Sequence, residues 1–199
     1  MEYIASSFTG NNAPLNDFNL DLASSVRRSL RESLVPSMLC IMAGRFVWCL
    51  QIDALVLSNN GSVLDAVSCA VWAALMDTRL PFLKPVRAQA GFEDDFIFDM
   101  SSTKALPLEV GCLPINITLT RIGDAFVVGA TQHEESCATS QIHVAVNRMG
   151  DFFGLCQAGD DPIALERVAV VLQLAKQTAL ALLKGLEKAR ESRLSSFLS

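Results

Sequence analysis

The stretch that most restricts this chain is Phe46–Met76, because it places a strand-like run directly ahead of a helix-like one and leaves neither able to stand in water. Phe46–Leu57 reads FVWCLQIDALVL, whose aromatic and β-branched residues suit a largely buried strand. It stops at Ser58-Asn59-Asn60-Gly61, a strong turn signal. Val63–Met76 then sets Leu64, Val67, Val71, Ala74 and Leu75 at helical spacing, with Asp65 in the first turn, where negative charge is favourable. This helix is expected to be almost wholly buried. A largely buried strand followed by an almost wholly buried helix places this stretch in the core of the domain.

The flanking segments fit that plan. Phe18, Leu22, Val26, Leu30 and Leu34 recur every four residues, with Asn19, Ser25, Arg27, Arg28 and Arg31 elsewhere on the wheel, so an amphipathic helix is predicted here. Asn16 or Asp17 can cap its start, and Pro36 stops it soon after Leu34. Pro85–Leu106 has no clear period, and Ala90–Ser102 reads as a loop with an acidic patch, Glu93-Asp94-Asp95. Four short β-like runs follow: Leu113–Arg121, Ala125–Thr131, Gln141–Asn147 and Asp151–Gln157. Gly123-Asp124 and Met149-Gly150 read as hairpin turns, which makes this part of the sheet antiparallel. The last element is a helix beginning at Asp160-Asp161-Pro162, with the proline at its first position, and running to about Arg193. Its apolar face carries Ile163, Val168, Leu172, Ala175, Ala179, Leu182 and Leu186, while Lys184, Lys188, Arg190 and Arg193 gather near its C-terminal end. With no repeat or linker in view, residues 1–199 read as one domain, with an irregular N-terminal segment at 1–15 and the C-terminal helix at 160–193.

Composition limits function. A net charge of −5 argues against a free-standing nucleic-acid binder, since phosphate affinity comes from clustered Lys and Arg. With 51% hydrophobic and only 19% charged residues, some apolar surface is expected to face a partner. No apolar run reaches the roughly 18 uncharged residues of a membrane span. Met1–Leu20 has no basic segment followed by an apolar core, so a soluble, intracellular protein is expected. Cys40, Cys49, Cys69, Cys112, Cys137 and Cys156 form no C-x-x-C pair and read as reduced core thiols. His133 and His143 match no metal-ligand spacing, so neither a metal nor a cofactor is expected.

Three stretches carry a resemblance: LASSVRRSLRES (Leu22–Ser33), VWCLQIDALVLSNNGSVLDAVSCAVWAAL (Val47–Leu75) and ITLTRIGDAFVVGATQHEES (Ile117–Ser136). In sequence and order they resemble the RNase PH-like superfamily, specifically the non-catalytic branch of exosome ring subunits. The likeness runs from about Leu20 to Leu186. It implies an α+β RNase PH-like fold (ribosomal protein S5 domain 2-like), a mixed sheet packed by helices with shortened N-terminal strands, because only Met1–Leu15 precede the first helix. It also implies a hetero-oligomeric ring with other RNase PH-like subunits, cap subunits with RNA-binding domains, RNA reached through the assembled complex, and residence in the nucleus (nucleolus) and cytoplasm.

Phosphorolysis needs a phosphate pocket, built from Arg or Ser side chains and backbone N–H groups at a helix start, with an acidic residue nearby. Active relatives carry Gly-Gly or Gly-Thr and then Arg in the turn after the buried strand, where this chain has Ser58-Asn59-Asn60-Gly61-Ser62. Phe8–Ala13 also lacks arginine. Gly129 stands where the family has an acidic residue, and Glu134-Glu135 read as a solvated turn. No catalytic residue is therefore assigned, and the expectation is a structural subunit rather than an enzyme; the alternative is a phosphorolytic 3′→5′ exoribonuclease, alone or in a composite site. Asp53 reads as a hydrogen-bonded core carboxylate or one pointing out of an edge, and neither His133 nor His143 receives a site role. By family position Arg28 and Arg31, three apart on one helix face, are the RNA-backbone candidates, against a solvated face or an inter-subunit ion pair.

Overall fold

A computed structural model describes residues 4–8, 17–34, 39–86, 95–99, 105–108, 110 and 112–198. In chain order the elements are β1 (Ile4–Phe8), α1 (Asp17–Ser33), β2 (Cys40–Met42), β3 (Phe46–Val47), β4 (Leu50–Ala54), α2 (Val63–Asp77), β5 (Arg79–Leu80), β6 (Phe82–Val86), β7 (Asp95–Asp99), β8 (Leu106–Pro107), β9 (Ile115–Ile122), β10 (Ala125–Val128), α3 (Gln132–Ser136), β11 (Ser140–Val146), β12 (Phe152–Ala158) and α4 (Leu165–Leu198).

Four strands form the main sheet in the order β10-β9-β11-β12, antiparallel throughout. Both predicted hairpins are present, with Gly123 and Gly150 at positive φ in the turns. Residues on successive strand positions point to opposite faces. On β9 the odd positions Ile115, Ile117 and Leu119 are buried apolar side chains, and the even positions Asn116, Thr118 and Thr120 are buried polar ones. The even face meets the first two helices: Asn116 N–H donates to Ser68 of α2 at 2.8 Å, and its side-chain amide to Ser29 of α1 at 3.3 Å. Such pairing is what lets polar groups sit in a core at little cost.

The first helix forms where the four-residue recurrence predicts it, burying Leu22, Val26, Leu30 and Leu34. Its proposed cap Asn16 and its stop Pro36 lie outside the described residues. On α4 the buried stripe is Val171, Ala175, Ala179 and Leu183, and Leu182, expected inside, is 37% exposed. That helix starts at Leu165 rather than Pro162. Arg121 holds the lead-in segment to the sheet instead, through Asp161 at 2.9 Å and the Pro162 carbonyl at 3.4 Å. By length and composition alone Leu165–Arg193 could cross a membrane, although charged residues such as Lys176 and Lys184 interrupt its apolar runs; here its stripe joins the core cluster with β9 and β11.

Several expectations are corrected. Phe46–Leu57 is not one buried strand: Phe46 and Val47 fold back on β2 through a turn at Gly44, and the ladder resumes only at Leu50. From there Leu50, Ile52, Ala54 and Val56 pack on the core while Gln51, Asp53, Leu55 and Leu57 face out, Leu57 being 85% exposed. Apolar residues at the outward positions 55 and 57 hid a period-2 alternation. Residues 1–15 are not wholly irregular, for β1 pairs in parallel with β4, Ile4 opposite Leu50 through Phe8 opposite Ala54, giving β4 the backbone partner it needs. Nor is α2 almost wholly buried: Leu64, Val67, Ser68, Val71, Trp72 and Leu75 face inward, whereas Ala66, Ala70 and Ala74 form an outer row that hydropathy alone counts as core. Within the supposed loop Ala90–Ser102, Asp95–Asp99 is a strand paired with β6, as Phe96-Ile97-Phe98 favour; Glu93 and Asp94 lie outside the described residues. All six cysteines are free, but none is a core residue: Cys40, Cys49 and Cys137 are exposed and the others half-buried.

Candidate functional site

A groove of about 520 Å³ runs between α1 and the face of the main sheet, closed at one end by the Asn59–Leu64 turn and helix start. Strand register builds its floor, since Thr118, His143 and Cys156 are direct cross-strand neighbours on β9, β11 and β12. Small side chains keep it open: Ser24 and Ser25 on α1 oppose Ala158, and a recess continues past Ser29 to Ala145 and Gly154.

At the floor, Asp65 accepts two hydrogen bonds from Thr118, from its backbone N–H at 2.9 Å and its hydroxyl at 2.6 Å. The Thr118 oxygen lies 2.9 Å from His143 Nδ1. A hydroxyl has one proton, and Asp65 takes it; the imidazole must therefore donate through Nδ1, which leaves Nε2 as its acceptor. Burial raises the Asp65 carboxyl to about 6, with the two Thr118 hydrogen bonds opposing that rise and the Glu135 charge adding to it. Burial lowers the His143 pKa, against an upward push from Glu135. Near neutral pH the set is thus a mostly ionised carboxylate, an oriented hydroxyl and a neutral imidazole presenting a basic nitrogen.

The groove's closed end is a clasp between two distant segments. Asn59 accepts from Gly61 N–H at 2.9 Å, and Gly61 has φ +96°. A Cβ at that position would lie 2.2 Å from the Ala130 carbonyl oxygen, so only glycine fits. Ser62 follows with φ +50°, its hydroxyl donating to the Ala130 carbonyl at 3.1 Å and its N–H to Glu135 Oε1 at 2.8 Å. Gln132 N–H completes the clasp on the Asn60 carbonyl at 3.1 Å. A free N–H at the start of α2 is the kind of group that binds an external anion, and here the chain's own carboxylate engages it.

Glu134 and Glu135 therefore do not form a solvated turn. Strand β10 ends at Val128, Gly129 turns with φ +67°, and Thr131 with Glu134 makes a capping box at the start of α3. The two Thr131 hydrogen bonds hold Glu134 below the usual carboxylate range. Asp53 is exposed, 3.3 Å from Gln51 Nε2, and stands apart from the groove. Arg28 and Arg31 are both exposed on α1, but only Arg28 borders the groove. His133 is exposed, whereas His143, left without a role by the sequence, sits at the groove's centre. Among the described residues no group of three His, Cys, Asp or Glu could hold a metal ion.

Residues 1–81 match domain 1 of the 3′ exoribonuclease family, RNase PH, and residues 112–178 match its domain 2. The chain belongs to the RNase PH-like 3′ exoribonuclease family. Relatives include the exosome complex component Rrp42 of Methanocella arvoryzae, 31% identical over 90% of this chain and 64% of its own length. The exosome complex component RRP45B of Arabidopsis thaliana is 31% identical over 83% of this chain and 38% of its own. This family member thus spans less than two thirds of either relative. The RNase PH-like fold is shared with an archaeal exosome core chain, with TM-score 0.71 and 22% identity over 92% of this chain and 68% of that one. A chain of the Archaeoglobus fulgidus exosome with RNA bound to the active site superposes equally well, TM-score 0.71, with 23% identity over 92% of this chain and 70% of that one.

Proposed function

We propose that this chain is a non-catalytic structural subunit of an exosome core ring, which supports 3′→5′ RNA processing and degradation by the complex. Its partners are other RNase PH-like subunits and RNA-binding cap subunits, and its residence is nuclear, including the nucleolus, and cytoplasmic. The observation that carries the reading is the clasp: in a family whose phosphorolytic members need an anion pocket at a helix start, this helix start faces the Glu135 carboxylate, and Asn59–Ser62 bears no cation. RNA contact, on this reading, falls to Arg28, beside the groove, with Arg31 further out.

Affinity purification of the tagged protein from its own cells, followed by native mass spectrometry, tests the proposal. Recovery of other RNase PH-like chains in equal amounts supports it, and a lone monomer overturns it. Phosphate-dependent release of nucleoside diphosphates by the purified protein would establish the enzyme reading instead. In the recovered complex, Arg28→Ala should reduce crosslinking of this chain to RNA more than Arg31→Ala does; equal or absent effects would remove the arginines from the proposed path.

A further inference from the structure

The tautomer fixed at the groove floor has a consequence beyond any scaffold role. With the Thr118 hydroxyl proton on Asp65 and His143 donating through Nδ1, the remaining imidazole nitrogen is a proton acceptor inside a groove open to solvent. Across the β11–β12 ladder His143 is paired with Cys156, and directly opposed side chains in antiparallel strands have Cβ atoms about 5 Å apart. Both side chains line the groove and its recess. Among the described residues the Cys156 thiol has one hydrogen bond, a long one of 3.9 Å to the neighbouring Gln157 carbonyl. No other cysteine in the described residues has an imidazole directly opposite it in a ladder. Cys69, four residues after Asp65 on α2, is pushed up to about 11 by burial and by the Asp65 charge, which makes it a poor nucleophile.

We infer that Cys156 and His143 form a thiol-exchange site for a low-molecular-weight disulfide of the glutathione class. His143 Nε2 takes the thiol proton; the Cys156 sulfur attacks one sulfur of the disulfide, forming a mixed disulfide as the original S–S bond breaks. The departing thiolate takes the proton from His143, so that Cys156 is oxidised, one half of the disulfide is reduced to a thiol, and the base is regenerated. The groove offers charges for such a ligand, for Arg28 can meet a carboxylate of the tripeptide and Asp21 its ammonium group. A mixed disulfide at Cys156 would also lie against Arg28, which the proposed function gives to RNA.

The test is incubation of the full chain with oxidised glutathione at neutral pH, with the adduct at each cysteine timed by peptide mass spectrometry. Cys156 should acquire the adduct faster than the exposed thiols of Cys40, Cys49 and Cys137, and His143→Gln should slow Cys156 on the order of tenfold while leaving Cys137 unchanged. The Cys137 rate guards against a variant that has lost its fold, because unfolding would drive the thiols to a common rate. Modification of Cys156 no faster than the exposed cysteines, or an unchanged rate in His143→Gln, would overturn the site. Neither result depends on ring assembly, so this proposal and the subunit reading can fail separately.

Discussion

Thr118 and Thr120 provide a controlled comparison inside one strand. They lie two apart on β9, point to the same face and are 2% and 0% exposed. Thr118 donates its hydroxyl proton to Asp65 and accepts from His143, whereas the Thr120 hydroxyl is buried with no hydrogen-bond partner among the described residues. Threonine to valine preserves shape and strand preference and exchanges a hydroxyl for a methyl, so the two substitutions isolate the hydrogen bonds. In Thr118→Val a buried carboxylate loses a charge-assisted hydrogen bond and the imidazole loses its acceptor, which together cost about 2–4 kcal/mol. In Thr120→Val an unsatisfied hydroxyl disappears from the core, so stability should be unchanged or rise by about 1–2 kcal/mol. Urea titration of both variants at pH 7.5, with equal m-values as the sign that the unfolding reaction is the same, reads the difference directly. If Thr118→Val costs under about 1 kcal/mol, or the two variants lose equal stability, the hydroxyl is not what orients the site.

The pH dependence has a definite sign. Asp65 is raised from 3.8 to about 6, so the native state binds its proton more tightly than the unfolded chain, and the stability tied to that proton is present below pH 4 and lost as pH rises through 6. The wild type should therefore gain roughly 3 kcal/mol relative to Asp65→Asn between pH 7.5 and pH 3.5, measured by urea unfolding of both proteins; parallel pH profiles would refute the shift. The lowered His143 works in the opposite direction, its stability being present above about pH 6.5 and lost on acidification, and it cancels in the comparison because both proteins carry it. Gly61→Ala sets a Cβ against the Ala130 carbonyl at a positive φ, and should cost at least about 3 kcal/mol, read as a fall in Tm of roughly 6 °C or more. A change under 2 °C would mean that the clasp gives way easily.

Much of the architecture was legible because it follows from periodicity. The four-residue recurrence from Leu22 to Leu34 and the Gly123 and Gly150 turns required no tertiary information. Where reading failed, the reason was local chemistry answering to a distant partner. β1 could not be seen in Ile4–Phe8 because its pairing is with Leu50–Ala54, and Leu55 and Leu57 disguised a half-exposed strand as a core one. The groove was harder still. Thr118 and His143 meet only through the β9–β11 register, with a strand and a helix between them in sequence, and Asp65 looked like an ordinary first-turn acid. Glu134-Glu135 had one usable signal, the Thr131-x-x-Glu134 capping box, which marks a helix start rather than a solvated turn.

The clasp at Gly61 also bears on how the two halves of the chain find each other. It joins a turn from the segment matching the family's first domain to one from the segment matching its second, through Ser62 to Ala130 and Glu135 and through Gln132 to Asn60. Their relative setting is thus written into groups that meet face to face, far in sequence from the stretch that links the two segments. A side chain at position 61 would strike the Ala130 carbonyl, a backbone atom that no change of side chain at 130 can withdraw, so the junction between the two segments holds only while residue 61 is glycine.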